Sequence, residues 1–243
     1  MSDEIPRVLQ LLWGVHDPNR PGPKPGLSIN EIGDAAVRIA DADGLAAVSM
    51  SKVAAELGRT TMSLYRYVDA KQDLYAVMLD RAFGLPELEP ADDWQGRIRA
   101  WAHAFRARLQ EHPWILQVPV DEPPLAPQQL VWMEQGLNAF DGTSLSPGQR
   151  LSSVLLIDIY VRGAIVLTPN FGAPAEPAAA ADERDRQQAD RLYARRLAAL
   201  ADPKRFPSLT AALESGALDG DEDEFTAGLD TVIAGIEAKL QAG

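Results

Sequence analysis

The chain contains no cysteine. Disulfides, thiolate metal sites and thiol nucleophiles are therefore excluded, and the composition suits a cytoplasmic protein. Histidine is nearly as scarce: His16, His103 and His112 are the only three, and no two lie at the spacing of a metal-binding pair. No metal and no cofactor is expected. A Gly-rich phosphate loop and a G-x-S-x-G elbow are both missing, so no catalytic residue suggests itself. No run approaches the roughly 18 apolar residues of a membrane span. The opening MSDEIPRVLQLLWG has acidic residues ahead of a short apolar stretch and no small-residue cleavage site, so it does not read as a signal peptide. Positive charge is in short supply, with 23 Lys and Arg against 35 Asp and Glu and a formal net charge of -12. Bulk, unspecific attraction to nucleic acid is not expected of such a chain.

What is present is helical. The 243 residues, 46% of them hydrophobic, suffice for one or two domains with a real core. Strand-like alternation is absent, and the periodicity throughout is that of helices. The fold class is all-α: a small N-terminal three-helix unit, then a larger helical body. Residues 1–27 form an N-terminal extension whose DPNRPGPKPGL stretch is too rich in Pro and Gly for a regular element. Ser28 caps a helix with Ile29, Ile32, Ala36 and Ile39 on one face, ended at Asp43-Gly44. Ser49 caps a second helix with Met50, Val53, Ala54 and Leu57 inward, stopped by Gly58. Thr60 caps a third, with Leu64 and Val68 inward, and a longer helix runs from Lys71 to Phe83. Further helices are expected over 92–111, 124–140, 146–167, 182–200 and 221–241, with 168–181 a loop by composition.

Two short helices around a glycine match a helix-turn-helix, in which the first supports and the second reads DNA. The reading tip is Thr61, Met62 and Ser63, with Thr60 at the cap. These side chains are small or uncharged; hydroxyls bond to several bases and a methionine packs on a thymine methyl. Tyr65, Arg66 and Tyr67 suit phosphates, which position rather than specify. Lys71 opens the next helix, where free N–H groups and a cation together make a phosphate site. The segment 20–82 is balanced in charge, so the acidic excess lies mainly in 83–243, away from the tip. A pair of amphipathic helices packed inside an all-α core is the alternative for this stretch.

The stretch LSINEIGDAAVRIADADGLAAVSMSKVAAELGRTTMSLYRYVDAKQDLYAVML resembles the DNA-binding domain of the TetR family of bacterial repressors. Gly44, Ser49, Val53, Ala54, Gly58, Ser63, Leu64, Tyr65, Tyr67, Val68, Lys71 and Leu74 match the family pattern. The resemblance implies a helix-turn-helix domain over 28–75 and a ligand-binding and dimerisation domain over 76–243. It also implies that Ser49, Ser51, Thr61, Met62, Ser63, Tyr65, Tyr67 and Lys71 face DNA. Tetracycline repressors carry a base-reading arginine where this chain has Ser51, which implies a different operator. DDWQGRIRAWAHAFRARLQEHPWILQV and FPSLTAALESGALDGDEDEFTAGLDTVIAGIEAKL are similar to parts of the tetracycline-repressor type of C-terminal domain. The partners implied are a double-stranded DNA operator, a small-molecule effector and a second copy of the chain. The histidines that hold magnesium–tetracycline in those repressors have no counterpart at RAFGLPE or near Pro119, so tetracycline is not the expected effector.

The body carries its own signals. Trp101, Phe105, Trp114, Trp132, Met133, Phe140 and Tyr160 are candidates to line an apolar cavity, or are simply core. His103 and Asp158 are candidate polar anchors, although Asp158 and Arg162 also have the spacing of a helix ion pair. The last helix has an apolar stripe, Phe225, Leu229, Val232, Ile233, Ile236 and Leu240, and a stripe of small residues, Ala227, Gly228, Thr231, Ala234, Gly235 and Ala238. A helical glycine is unfavourable by about 1 kcal/mol against alanine, so two of them suggest a close helix approach. Helices near 146–167 and 221–241 are thus the expected homodimer surface. Within the extension, Ile5, Leu9, Leu12 and Trp13 are apolar enough to dock, and Arg20 and Lys24 are placed to enter a minor groove. A helical enzyme without a recognisable motif and a non-enzymatic interaction protein are the alternatives to a ligand-responsive repressor.

Overall fold

The computed structural model describes residues 5–15, 27–119, 123–167, 183–215 and 224–241, the side chains of 183–190 excepted. The basic arm residues Arg20 and Lys24 and the expected loop 168–181 lie outside the described residues. Among the described residues there are eleven α-helices and no strand. The chain divides into two compact units, 1–141 and 142–243.

The first unit begins with α1, Arg7–Leu12. Helix α2, Ile29–Asp43, starts at Ser28, whose hydroxyl accepts the Glu31 N–H while the Glu31 carboxylate accepts from the Ser28 N–H at 2.7 Å. The Ser28 hydroxyl also donates to the Glu31 carboxylate at 2.8 Å, and this bond first, then the Ser28 N–H, holds the Glu31 carboxyl below its ordinary pKa. Its buried face includes Ile32, Ala36 and Ile39, and Gly44 ends it at φ +80. Helix α3 is Met50–Glu56, with Ser49 capping through the Lys52 N–H. The glycine turn at Gly58 (φ +62) closes with a bond from the Arg59 N–H to the Ala54 carbonyl at 2.8 Å. Helix α4, Thr61–Leu64, is a single turn that continues as turn structure to Tyr67. Thr60 sits at its N-cap, yet its side chain makes no capping bond. Instead the Thr60 carbonyl accepts from both the N–H and the hydroxyl of Ser63, which corrects the expected cap.

Helix α5, Lys71–Phe83, packs on α2. The approach is close enough to require Gly33: a Cβ there would lie 2.8 Å from Val77 Cγ1 and 2.5 Å from Arg81 Cγ. Beside it Arg81 pairs with Asp34 at 2.6 Å. The boundary expected at residue 75 falls inside α5, which packs on α7, Pro127–Asn138, as well as on α2. Helix α6, Trp94–Glu111, is capped by Asp93 and followed by a 3-10 turn over Pro113–Gln117.

In the second unit, α8 (Pro147–Leu167) and α11 (Glu224–Gln241) pack on each other. Ser146 and Gln149 cap α8 reciprocally. Tyr160 stacks on Phe225 with ring centres 5.6 Å apart, and its hydroxyl donates to the Phe225 carbonyl at 2.8 Å. Helix α9, Glu183–Leu200, packs with α10, Pro207–Glu214. The periodicity had not singled out α10; its Pro at the first turn was the available signal.

Candidate nucleic-acid interface

Leu64 and Val68 are fully buried and seat the reading turn on the unit beneath it. Their burial leaves Met62, Tyr65 and Arg66 on the outward side of the turn. Met62 is 72% exposed and Tyr65 45% exposed, unusual values for large side chains with apolar surface. Arg66 and Thr60 are exposed, and Thr61 and Ser63 half-buried. Ser63 has committed its hydroxyl proton to the Thr60 carbonyl, leaving its oxygen as an acceptor only. Ser49 and Ser51, both exposed, lie with their hydroxyls 3.1 Å apart. The exposed Lys71 ammonium lies 5.4 Å from the centre of the Tyr75 ring. The Asp73 carboxylate accepts from the N–H groups of Asp69 and Ala70, the two residues ahead of α5.

Tyr67 behaves differently from Tyr65. It is half-buried, packs against Val8, Leu9, Ile29 and Val77, and donates its hydroxyl to the Leu27 carbonyl at 2.6 Å. Ser49, Ser51, Thr60, Thr61, Met62, Ser63, Tyr65, Arg66 and Lys71 therefore have exposed or partly exposed surface, while the Tyr67 proton is turned inward.

Behind this head lies a joint that spacing did not disclose. Asp41 on α2 accepts from Trp114 Nε1 at 2.7 Å and lies 2.8 Å from His112 Nδ1. An acid in the last turn of α2 opposes the helix dipole, which was the one sequence signal for a partner. Asp80 on α5 is a second such case. It is buried and accepts from the Gln128 N–H at the start of α7. Burial raises its pKa above the ordinary value, with the Gln128 N–H and Arg81 acting the other way.

The seven candidate ligand residues do not form one wall. Trp101, Phe105 and Trp132 come together with Phe83 in a stacked and edge-on cluster, ring centres 5.0–6.4 Å apart. Trp132 Nε1 also donates to the carbonyls of Phe83 and Gly84 at the end of α5. Phe140 pairs instead with Trp94, and Trp114 with His112. Met133 is half-buried on α7, and Tyr160 belongs to the second unit. His103 borders an open cavity of about 470 Å³ together with Glu87, Glu89, Arg99 and three alanines of α6. Asp158 is paired with Arg162 at 2.9 Å, the helix ion pair rather than a free anchor.

A glycine-turned helix pair with an outward tip, carried on a larger helical body, defines a helix-turn-helix regulator of transcription. Residues 32–78 match the description "Bacterial regulatory proteins, tetR family", and residues 85–240 match "Tetracyclin repressor-like, C-terminal domain". The chain is 36% identical over 240 residues to the HTH-type transcriptional repressor DrrR1 of Streptomyces coeruleorubidus, over 97% of this chain and 87% of that one. An HTH-type transcriptional regulator of Saccharopolyspora erythraea is 31% identical over 144 residues, 58% of this chain and 61% of its own. The crystal structure of the Streptomyces coelicolor TetR family protein ActR in complex with actinorhodin superimposes with a TM-score of 0.70 at 25% identity, covering 89% of this chain and 98% of that one. The chain belongs to the TetR family. Its function is DNA-binding control of transcription.

Proposed function

We propose that the protein is a cytoplasmic repressor that binds a palindromic operator as a homodimer and releases it when a small, largely apolar molecule binds the helical body. The observation that carries the DNA reading is the exposure of Met62 and Tyr65 above the buried Leu64 and Val68. Thr61, Met62 and Ser63 meet base edges; Tyr65, Arg66 and Lys71 meet phosphates. With no charged side chain at the tip, specificity rests on hydroxyls, methyl contacts and DNA shape.

The dimer reading has its own support. Leu151, Leu155 and Ile159 recur every four residues along α8 and are 39%, 46% and 67% exposed. On α11 the small residues Ala227, Thr231, Ala234, Gly235 and Ala238 are exposed. The two helical glycines have different reasons. A Cβ on Gly228 would meet the Tyr160 hydroxyl, so that glycine serves packing within the chain; one on Gly235 would meet nothing within 4 Å. Gly235 is thus left for a partner helix. Two copies would set their reading turns about 34–36 Å apart, one turn of DNA. An effector weakens operator binding by its preference for the state with the wrong spacing, and by no more than that.

The aromatic cluster of Trp101, Phe105, Trp132 and Phe83 makes an apolar effector the natural one for this body, and ActR, a relative, has been crystallised with actinorhodin and with (S)-DNPA. The test is selection of genomic fragments by the purified full chain. Enrichment of a two-fold symmetric site, with affinity falling steeply as salt rises, is the expected result. Retention of no fragment over a range of salt would overturn the proposal.

A further inference from the structure

Helix α1 precedes both stretches that match the family, which begin at residues 32 and 85. Its position gives it a task. Val8 and Leu9 are buried against Ile29 of α2 and Val77 of α5, with Leu11, Leu12 and the Tyr67 ring completing the cluster. Gly14 (φ +65) ends the helix. Just before it, Trp13 Nε1 donates to the Leu125 carbonyl at 2.9 Å, two residues ahead of α7. Ile5 and Trp13, expected to dock by their apolar surfaces, each remain 49% exposed, so the Trp13 N–H is the attachment to Leu125. The residue at the far end of the reading turn, Tyr67, is held from two sides: its ring by the cluster that Val8 and Leu9 of α1 form with Ile29 and Val77, its hydroxyl by the Leu27 carbonyl.

We infer that α1 is a positioning element for the reading turn, acting on it through Tyr67 and anchored at the start of α7 through Trp13. Tyr67 is then a positioning residue and not a phosphate contact, because its single proton is committed to a main-chain carbonyl. Leu64 and Val68 fix the depth of the turn; Tyr67 and α1 fix its sideways pose. Rigid presentation raises affinity by lowering the ordering cost of binding. The helix therefore strengthens operator binding without touching DNA. The entry to α7 is the same segment whose Gln128 N–H is held by Asp80, so α1 and α5 grip one place on the body.

This inference rests on the DNA-binding reading, and one experiment separates the two. The full-length chain is titrated by fluorescence anisotropy against the duplex recovered by fragment selection, at several salt concentrations. The chains compared are wild type, Tyr67→Phe, Leu9→Ala, the double variant and Trp13→Phe. Tyr67→Phe removes one hydrogen bond and should weaken binding about three- to tenfold. Leu9→Ala should weaken it about tenfold, and Trp13→Phe about threefold, with the salt slope of every variant unchanged because no phosphate contact is lost. The double variant should bind about as weakly as Leu9→Ala alone, since contacting residues acting on one step are not additive. Multiplied effects, with Tyr67→Phe keeping its full factor beside Leu9→Ala, would show an independent DNA contact and overturn the inference. Wild-type affinity in Leu9→Ala would do the same, as would wild-type affinity in Trp13→Phe if Leu9→Ala does not fold. A wild-type chain that selects no duplex would overturn the DNA-binding reading and this inference with it.

Discussion

Replacing Ile159 by Asp tests the proposed dimer with little disturbance of the single chain. Ile159 is 67% exposed and stands on the outward stripe of α8 between Leu155 and the helix end. An aspartate there is solvated in an isolated subunit and should leave its folding nearly intact. In the proposed dimer the position would be buried. The apolar contribution lost is about 1.5–3 kcal/mol per side chain, and two-fold symmetry places the change in the interface twice. The loss is thus about 3–6 kcal/mol before any penalty for burying the carboxylates, which adds to it. At about 1.4 kcal/mol per decade, the apolar loss alone should raise the dissociation constant by roughly 100-fold to 20,000-fold. Sedimentation equilibrium at micromolar protein should show a dimer for the wild type and mostly monomer for the variant, with thermal unfolding of the monomer as the control for folding. Operator affinity should fall in parallel, since a monomer reaches only one half-site. An Ile159→Asp chain that sediments as the same dimer with the same dissociation constant would refute the reasoning that places α8 in the interface.

Gly33→Ala should destabilise the first unit. The helix-propensity gain of about 1 kcal/mol is outweighed by overlap with the fully buried, rotamer-restricted Val77 and with Arg81, typically 1–3 kcal/mol for overpacking and sometimes more; a fall of a few degrees in Tm is expected, and a rise would contradict the close α2–α5 packing. Lys71→Ala should weaken operator binding and reduce the salt slope by about one unit; an unchanged slope would remove Lys71 from the phosphate contacts. Asp80 has its folded pKa raised by burial, so between its unfolded and folded values the native state holds the extra proton and stability rises as pH falls through that window. Asp80→Asn keeps an acceptor for the Gln128 N–H and loses this dependence. In denaturant titrations from pH 7 downward, the wild type should gain on the variant as pH enters the carboxylate range; a difference that stays flat or runs the other way would sink the assignment.

The helices were legible because their determinants are local. The Ser28–Glu31 and Ser146–Gln149 capping pairs, the Ser49 cap and the glycines at 44 and 58 act within a few residues, and the apolar 3-4 spacing marks each buried face. The outward face of the turn was legible for the same reason: burying Leu64 and Val68 leaves Met62 and Tyr65 exposed. Helix α10 escaped because it buries no residue and so carries no marked inward face.

Tertiary packing alone decided the rest. Tyr65 and Tyr67 are two residues apart on one turn and indistinguishable by type; what separates them is Leu27 and α1, brought beside Tyr67 across 40 residues of sequence in the case of Leu27. Asp41 meets His112 and Trp114 across 71 and 73 residues, and Trp13 reaches Leu125 across 112. The aromatic residues of the body were all recognised as apolar, yet only packing sorted Trp101, Phe105 and Trp132 into one cluster and Trp114 and Phe140 into others. The chain's own order determined what each turn would do, since caps and periodicity need only neighbours. Which side chain would find which distant partner was left to the packing of helices, because a carboxylate or a phenol shows its preferred chemistry in the sequence but not the carbonyl or ring that satisfies it.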